Sequence, residues 1–368
     1  MKKKILFIIW SYTYGGGAEA LLTSIVNHLN PEKYDISIIE YEHADYKVEP
    51  VNENIHILPP IEAVETPDRQ KKGYQVYHTP EVLIEKYIKG DYDLYVSFNY
   101  QIPTFLLPCG TKNIAWIHTD VYDLGNEKVK REKELQDKAF DKARKIVAIT
   151  DRTLQSLVDL FPRHKEKYVK LYNGIDIQRI ELRSKEKIEW DIQRPAVIFL
   201  GRLDANKNPE RLLDIFSIIH EKQPDAHLYY VGEGERKGLL SLRISELKLE
   251  EYVHLLGYQE NPFPILKEAD VLGLFSYAEG FNLCMLEALA LGVPIVAPDI
   301  GTARLLTNNG KCGKIVDKNE DAANAMIGFM NADKREVSLE CRNFVQRFAL
   351  DTYIKKIEEL FDSVIDEK

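Results

Sequence analysis

The chain has 368 residues, of which 45% are hydrophobic and 10% aromatic, and its formal net charge is −9. That length exceeds one ordinary core and suits two globular domains. The acidic balance argues against nucleic acid as a partner, and no apolar run approaches the length of a membrane span.

Three lysines after Met1, then Ile5 to Trp10, mimic a secretion signal, but the apolar run is short and no small-residue cleavage site follows. Ile5–Trp10 therefore reads as a buried parallel strand, Ser11–Gly17 as a loop and Ala18–Leu29 as a helix. Ile36–Tyr41 and Ile55–Leu58 read as further strands. Residues 60–73 are polar, contain prolines and read as a long loop. A helix is expected over Glu81–Lys89, strands over Leu94–Phe98 and Ile114–His118, and a long charged helix over Glu127–Lys145. A strand over Lys145–Thr150, a helix to about Phe161 and a strand over Val169–Tyr172 complete the first half. Such alternation predicts an α/β fold with a doubly wound parallel sheet.

Residues 178–195 are charged and poor in apolar side chains, and read as a linker. A second alternation opens at Ala196–Gly201, with strands at 226–231, 253–257, 271–275 and 294–298 and helices at 319–331 and 335–347. The last segment, Asp351 to Asp366, is an amphipathic helix with Tyr353, Ile354, Ile357, Leu360, Phe361 and Ile365 on one side. The expected domains are thus 1–190 and 191–348, with 349–368 as a terminal helix.

Residues 1–190 carry 28 basic and 29 acidic side chains, the remainder 21 and 29. The near-neutral first half is the less repelled by an anionic membrane, which permits peripheral association. The cysteines at 109, 284, 312 and 341 form no metal or redox spacing and read as free thiols, which fits a reducing cytoplasm.

The most informative stretch is Ser276 to Asp299. An apolar strand leads into a turn at Gly280, Asn282 suits a helix N-cap, Leu283–Leu291 reads as a short helix, and Gly292 and Pro294 end it. Glu279 then lies on the loop at the carboxyl end of a strand and Glu287 in the following helix, the edge where open α/β sheets bind ligands. Gly201-Arg202-Leu203 and Lys207 follow the first strand of the second half. Glycines also follow later strands, in Val231-Gly232-Glu233-Gly234 and Leu256-Gly257-Tyr258. In the first half, Gly15, Gly16 and Gly17 allow main-chain approach to a phosphate at a helix N-terminus. His118 ends a strand and precedes Thr119 and Asp120.

Glu279 and Glu287, with seven residues between them, resemble the E-x7-E signature of retaining GT-B glycosyltransferases, in particular glycosyltransferase family 4. Asn282 and Cys284 depart from the family's usual glycine and proline, but leave both acids in place. The Gly201–Lys207 segment resembles the family's G-R-L-x-x-x-K-N, and Asn173-Gly174-Ile175-Asp176 resembles its N-G-[IV]-D, where turn geometry is the expected role. The resemblance covers nearly the whole chain and implies two Rossmann-like domains facing a cleft, acceptor in the first and donor in the second. The terminal helix crosses back to the first domain in such enzymes. Glu279 and His118 would approach the donor sugar, and Glu287 would hold the ribose. Arg202 and Lys207 would grip the diphosphate, and Gly16, Gly17, Gly280, Phe281, Asn282 and Leu283 would line the donor. Gly232, Gly257 and Tyr258 would flank the base.

The implied reaction is a retaining, metal-independent transfer of a hexosyl unit from a nucleotide sugar to a hydroxyl. The acceptor would be a glycan, glycolipid or glycoprotein in surface polysaccharide or glycoconjugate synthesis, met in the cytoplasm or at the inner face of the membrane. No cofactor is implied beyond the donor, for which family frequency favours UDP. A nucleotide-sugar epimerase or phosphorylase, or a non-catalytic glycan-binding partner subunit, would share the architecture. A dinucleotide fingerprint, Gly15-x-Gly17-x-x-Ala20 with Glu40 beyond, competes with this reading. Four residues, Ser11 to Tyr14, separate its first glycine from the strand, where a pyrophosphate turn wants none. Asp91-Tyr92-Asp93 spells a metal-binding D-x-D but precedes a strand rather than following one, and reads as a turn.

Overall fold

The computed structural model describes residues 2–13, 16–44, 50–63, 69–119, 121–123 and 128–367. Gly15, Asp120 and Glu127 lie outside them. Continuous apolar runs make buried parallel strands. The first unit holds β1 (Lys3–Ile9), β2 (Tyr34–Glu40), β3 (Glu42–His43), β4 (Ile55–Ile57), β5 (Glu62–Ala63), β6 (Leu94–Ser97), β7 (Asn113–Ile117), β8 (Lys145–Ala148) and β9 (Tyr168–Lys170), of which β1, β2, β6, β7 and β8 are the buried runs. A seven-stranded sheet runs β4-β2-β1-β6-β7-β8-β9, and β3 pairs with β5. The second unit holds β10 (Ala196–Leu200), β11 (His227–Val231), β12 (Val253–Gly257), β13 (Val271–Gly273), β14 (Ile295–Ala297) and β15 (Gly313–Ile315). Its six strands run β12-β11-β10-β13-β14-β15, all parallel. In both sheets the order reverses beside the first strand, between β1 and β6 and between β10 and β13. At such a point the loops diverge and leave a crevice at the carboxyl edge. Both units are therefore Rossmann-like.

The chain divides at Gly174, not at the charged stretch near 190. Met1–Gly174 and Leu350–Lys368 form one compact unit and Ile175–Ala349 the other. The segment that reads as a linker instead begins with a helix, Ile177–Arg183, capped by Asp176, whose Oδ1 accepts from the Arg179 N–H at 2.8 Å. Only Ile177 and Ile180 are buried in it, too few to mark a helix in sequence. The polar 60–73 stretch likewise ends in a helix, Arg69–His78.

The terminal helix, Leu350–Ile365, belongs to the first unit. Its buried stripe is Leu350, Tyr353, Ile354, Ile357, Phe361 and Val364; Leu360 and Ile365 are only half-buried. The Phe361 ring lies 6.1 Å from those of Phe7 and Tyr34, and Asp362 pairs with Lys3 at 3.1 Å and Lys33 at 2.6 Å. Burying these side chains is worth on the order of 10 kcal/mol before ordering entropy is deducted. The helix also explains Gly174: a Cβ there would sit 2.5 Å from Tyr353 Cβ. Close approach, rather than turn conformation, demands the glycine. Among the described residues no helix is long and apolar enough to cross a membrane.

Candidate active site

At the carboxyl edge of the second sheet the loop after β10 carries Arg202 and Lys207, and the loop after β13 carries Glu279. These loops flank the point where strand order reverses, so topology brings them together. Asn206 joins them: its Nδ2 donates to Ala278 O at 2.9 Å, its Oδ1 accepts from Ala278 N–H at 3.1 Å, and its carbonyl accepts from Tyr277 N–H at 2.8 Å. Sequence reasoning missed Asn206, although it lies inside the Gly201–Lys207 segment.

Lys207 and Glu279 meet directly. Lys207 Nζ donates to Glu279 Oε1 at 2.5 Å, and Ser276 Oγ donates to the same oxygen at 2.6 Å. Both side chains of the ion pair are mostly buried, 16% and 12% exposed. Burial alone would lower the Lys207 ammonium. The Glu279 carboxylate, through its charge and its hydrogen bond, opposes this, and the group is held above its ordinary value. Burial pushes the Cys284 thiol up to about 12, so at neutral pH it carries no charge and Glu279 is the anion that matters. Arg202 is different: its side chain is 66% exposed and pairs with Asp204 at 3.2 Å. An exposed guanidinium and a buried, paired ammonium thus stand in one loop.

The helix after the Glu279 loop spans Leu283–Ala290. Asn282 precedes it but its side chain does not cap it; the buried amide points to Met285 Sδ at 3.7 Å. The first-turn N–H groups therefore keep their capacity for an anion. Glu287 is half-buried and lies past the first turn of this helix, which starts at Leu283 as its sequence setting suggests. Phe281, beside Gly280, packs its ring 6.2 Å from that of Phe348.

Glycines close the edge. Gly201 N–H donates to Val231 O at 3.0 Å and Gly232 N–H to Gly257 O at 2.9 Å, lacing the ends of β10, β11 and β12. Gly232 has φ of 146°, and any Cβ there would collide with Gly201 O. Gly301, in the loop after β14, has φ of 48° and lies against the Glu279 loop, where a Cβ would come 2.7 Å from Gly280 O. Sequence reasoning missed Gly301 too. Tyr258 is 73% exposed at the end of β12.

The first unit holds the remaining candidates. His118 follows β7 and stacks near Phe98 and Trp116, with ring centroids 4.2 and 6.0 Å away. Burial lowers it to about 3, so it is a neutral imidazole, and its Nε2 is enclosed without a partner among the described residues. Gly16 and Gly17 begin the Gly17–His28 helix, but a Cβ on Gly16 would meet Glu19 Oε2 at 2.5 Å, so a carboxylate already lies over that helix end. Glu40 is not available to a ribose. It is 4% exposed and accepts from Tyr12 N–H at 2.7 Å, Thr13 N–H at 3.1 Å and His43 Nδ1 at 2.6 Å. The dinucleotide reading loses its acid. Asp93 Oδ2 accepts from Lys4 N–H at 2.7 Å, at the amino end of β1 and away from the ligand edge.

Residues 181–344 match the family described as glycosyl transferases group 1, and residues 15–179 match glycosyltransferase family 4. The chain belongs to glycosyltransferase family 4. Its fold is GT-B. This family 4 chain is 30% identical over 210 residues to the Campylobacter jejuni N-acetylgalactosamine-N,N'-diacetylbacillosaminyl-diphospho-undecaprenol 4-alpha-N-acetylgalactosaminyltransferase, covering 57% of this chain and 54% of that protein. It is 24% identical over 282 residues to the D-inositol 3-phosphate glycosyltransferase of Corynebacterium urealyticum, covering 68% and 66%. The chain spans about half the length of the first curated relatives it matches. Among solved structures, Anabaena HepE in complex with UDP and glucose superposes with TM-score 0.74 at 20% identity, over 98% of this chain and 100% of that one. Sucrose-phosphate synthase from Thermosynechococcus elongatus gives 0.78 at 17%, over 99% and 100%. At such identities the likeness is one of fold.

Proposed function

We propose that the family 4 chain transfers a hexosyl unit from a nucleotide sugar, with UDP as the nucleotide, to a hydroxyl of a glycan or glycolipid acceptor. The observation that carries this reading is the meeting of Lys207 and Glu279 at the switch point of the second sheet. A nucleoside diphosphate leaving group needs cations or helix N–H groups where its charge grows. Arg202, Lys207 and the uncapped start of the Leu283–Ala290 helix offer all of these. Glu279 meets the sugar, where positive charge develops as the glycosidic bond breaks, and Glu287 holds the ribose hydroxyls.

The names of its relatives support the substrate class. The Campylobacter protein is named for a sugar transfer onto a diphospho-undecaprenol-linked glycan, and HepE is solved with UDP and glucose. The family resemblance adds anomeric retention and independence of metal. In this reading the cations named above serve the leaving group, so turnover survives EDTA. The test is a thermal-shift panel of UDP, GDP, UDP-sugars and NAD. A true ligand at 100 times its Kd stabilises the fold by about 2.7 kcal/mol. A shift with UDP and UDP-sugars but not NAD is expected; a shift with NAD alone overturns the reading.

A further inference from the structure

The carboxyl edge of the first sheet holds a second built feature. Between β6 and the Ile102–Phe105 helix, Gln101 has φ of 64° and ψ of −114°. A glycine would adopt this conformation freely, whereas a side chain makes it strained. The elbow sits at the point where strand order reverses, between β1 and β6. Trp10 N–H, at the end of β1, donates to Asn99 Oδ1 at 2.9 Å and fastens the elbow to the neighbouring strand.

Two side chains from the Lys128–Lys142 helix hold Gln101 in place. Its N–H donates to Gln136 Oε1 at 3.1 Å, and its Nε2 donates to Glu132 Oε2 at 3.1 Å. Gln136 is fully buried, yet its Nε2 has no protein partner among the described residues. An enclosed amide N–H₂ without an acceptor is costly unless something else supplies one. Because the two ends of one carboxamide are adjacent, that unmet donor lies beside the elbow. Burial, and then the charge of Glu132, hold the phenols of Tyr77 and Tyr100 protonated.

We propose that Gln101, Glu132 and Gln136 form a sugar-hydroxyl subsite in the first unit and set which acceptor the enzyme uses. This rests on the glycosyltransferase reading above. The chemistry fits a vicinal diol, in which each hydroxyl both donates and accepts. Glu132 and the Gln101 carbonyl oxygen accept from it, and Gln136 Nε2 donates to it. A purely structural elbow would be served best by glycine. Retaining a strained glutamine, anchored through both its backbone and its side chain, points to use of that side chain.

The test compares the full chain with Gln101→Gly and Glu132→Gln, using UDP-sugar hydrolysis without acceptor and transfer to a panel of p-nitrophenyl glycosides. Glycine relieves the backbone, so the melting temperature of Gln101→Gly holds or rises, while KM for the glycoside rises about tenfold or more and donor hydrolysis is unchanged. Glu132→Gln keeps the fold and raises the same KM. A structural residue would show the opposite pattern, with lowered melting temperature and unaltered acceptor KM; that result, or an unchanged KM in both variants, overturns the subsite. If the wild-type chain neither hydrolyses nor transfers from any UDP-sugar, the glycosyltransferase reading itself fails and the subsite falls with it.

Discussion

Lys207 Nζ lies 2.5 Å from Glu279 Oε1, although the two residues are 72 positions apart in the chain. The pair couples the residue expected to hold phosphate to the residue expected to meet the sugar. Removing one partner from a buried pair costs on the order of 3 kcal/mol, because the other charge is left without compensation. Lys207→Met and Glu279→Gln should therefore each lower stability in urea denaturation. The double variant should recover at least half of the summed loss. Strictly additive losses would show that the two do not couple.

Asn206 sets the spacing of the two loops through three contacts with residues 277 and 278. Asn206→Asp keeps the acceptor for Ala278 N–H but loses the donor to Ala278 O. The local cost is about 1–2 kcal/mol, small against global stability. The expected result is a lowered kcat with a melting temperature close to wild type. A full-strength kcat would remove Asn206 from the positioning of Glu279.

Gly301 has a conformation and a neighbour that both demand glycine. Gly301→Ala strains the backbone at φ of 48° and pushes on Gly280 O. The side chain it displaces is Glu279, so activity should fall by more than stability does. Paired melting and rate measurements decide this: equal rates with a lowered melting point would make Gly301 a structural glycine only.

Acid should destabilise the fold through buried neutral histidines. Burial holds His118 at about 3 in the folded chain, against about 6.5 when unfolded. The lowered folded value means that stability is complete above pH ~6.5 and is lost as pH falls towards 3. His227 and His254, hydrogen-bonded to each other at 3.1 Å, are lowered in the same direction, first by burial. Melting temperature should drop between pH 7 and 5, and His118→Phe should make that drop shallower, by up to about 1.4 kcal/mol per pH unit. Identical slopes would place the proton uptake elsewhere.

The sequence makes Glu279 and Glu287 legible because strong local signals surround them. An apolar strand, a glycine turn and a Gly/Pro helix stop leave few alternatives. The parallel sheets are legible for the same reason. The Lys207–Glu279 contact is not, since it depends on β10 and β13 lying side by side, which no local pattern states. Gly301 shows only as a glycine, and Gly174 only as part of a turn motif; the backbone and side chain that approach them come from distant segments. The Ile177–Arg183 helix is hidden because it buries two isoleucines among charges. Gln101 gives no signal at all, since a left-handed conformation is normally advertised by glycine or asparagine.

In the proposed reading the second unit binds a nucleotide sugar with ribose at Glu287, phosphates at Arg202 and Lys207, and sugar at Glu279. Calorimetric titration of free UDP into wild type, Glu279→Gln and Glu287→Gln tests this most directly, because UDP carries the ribose and phosphates but no sugar. Glu287→Gln should weaken UDP by about tenfold or more, the equivalent of ~1.4 kcal/mol. Glu279→Gln should bind UDP at least as well as wild type, since it releases Lys207 towards the phosphates. Full UDP affinity in Glu287→Gln, or its loss in Glu279→Gln, would contradict the assignment.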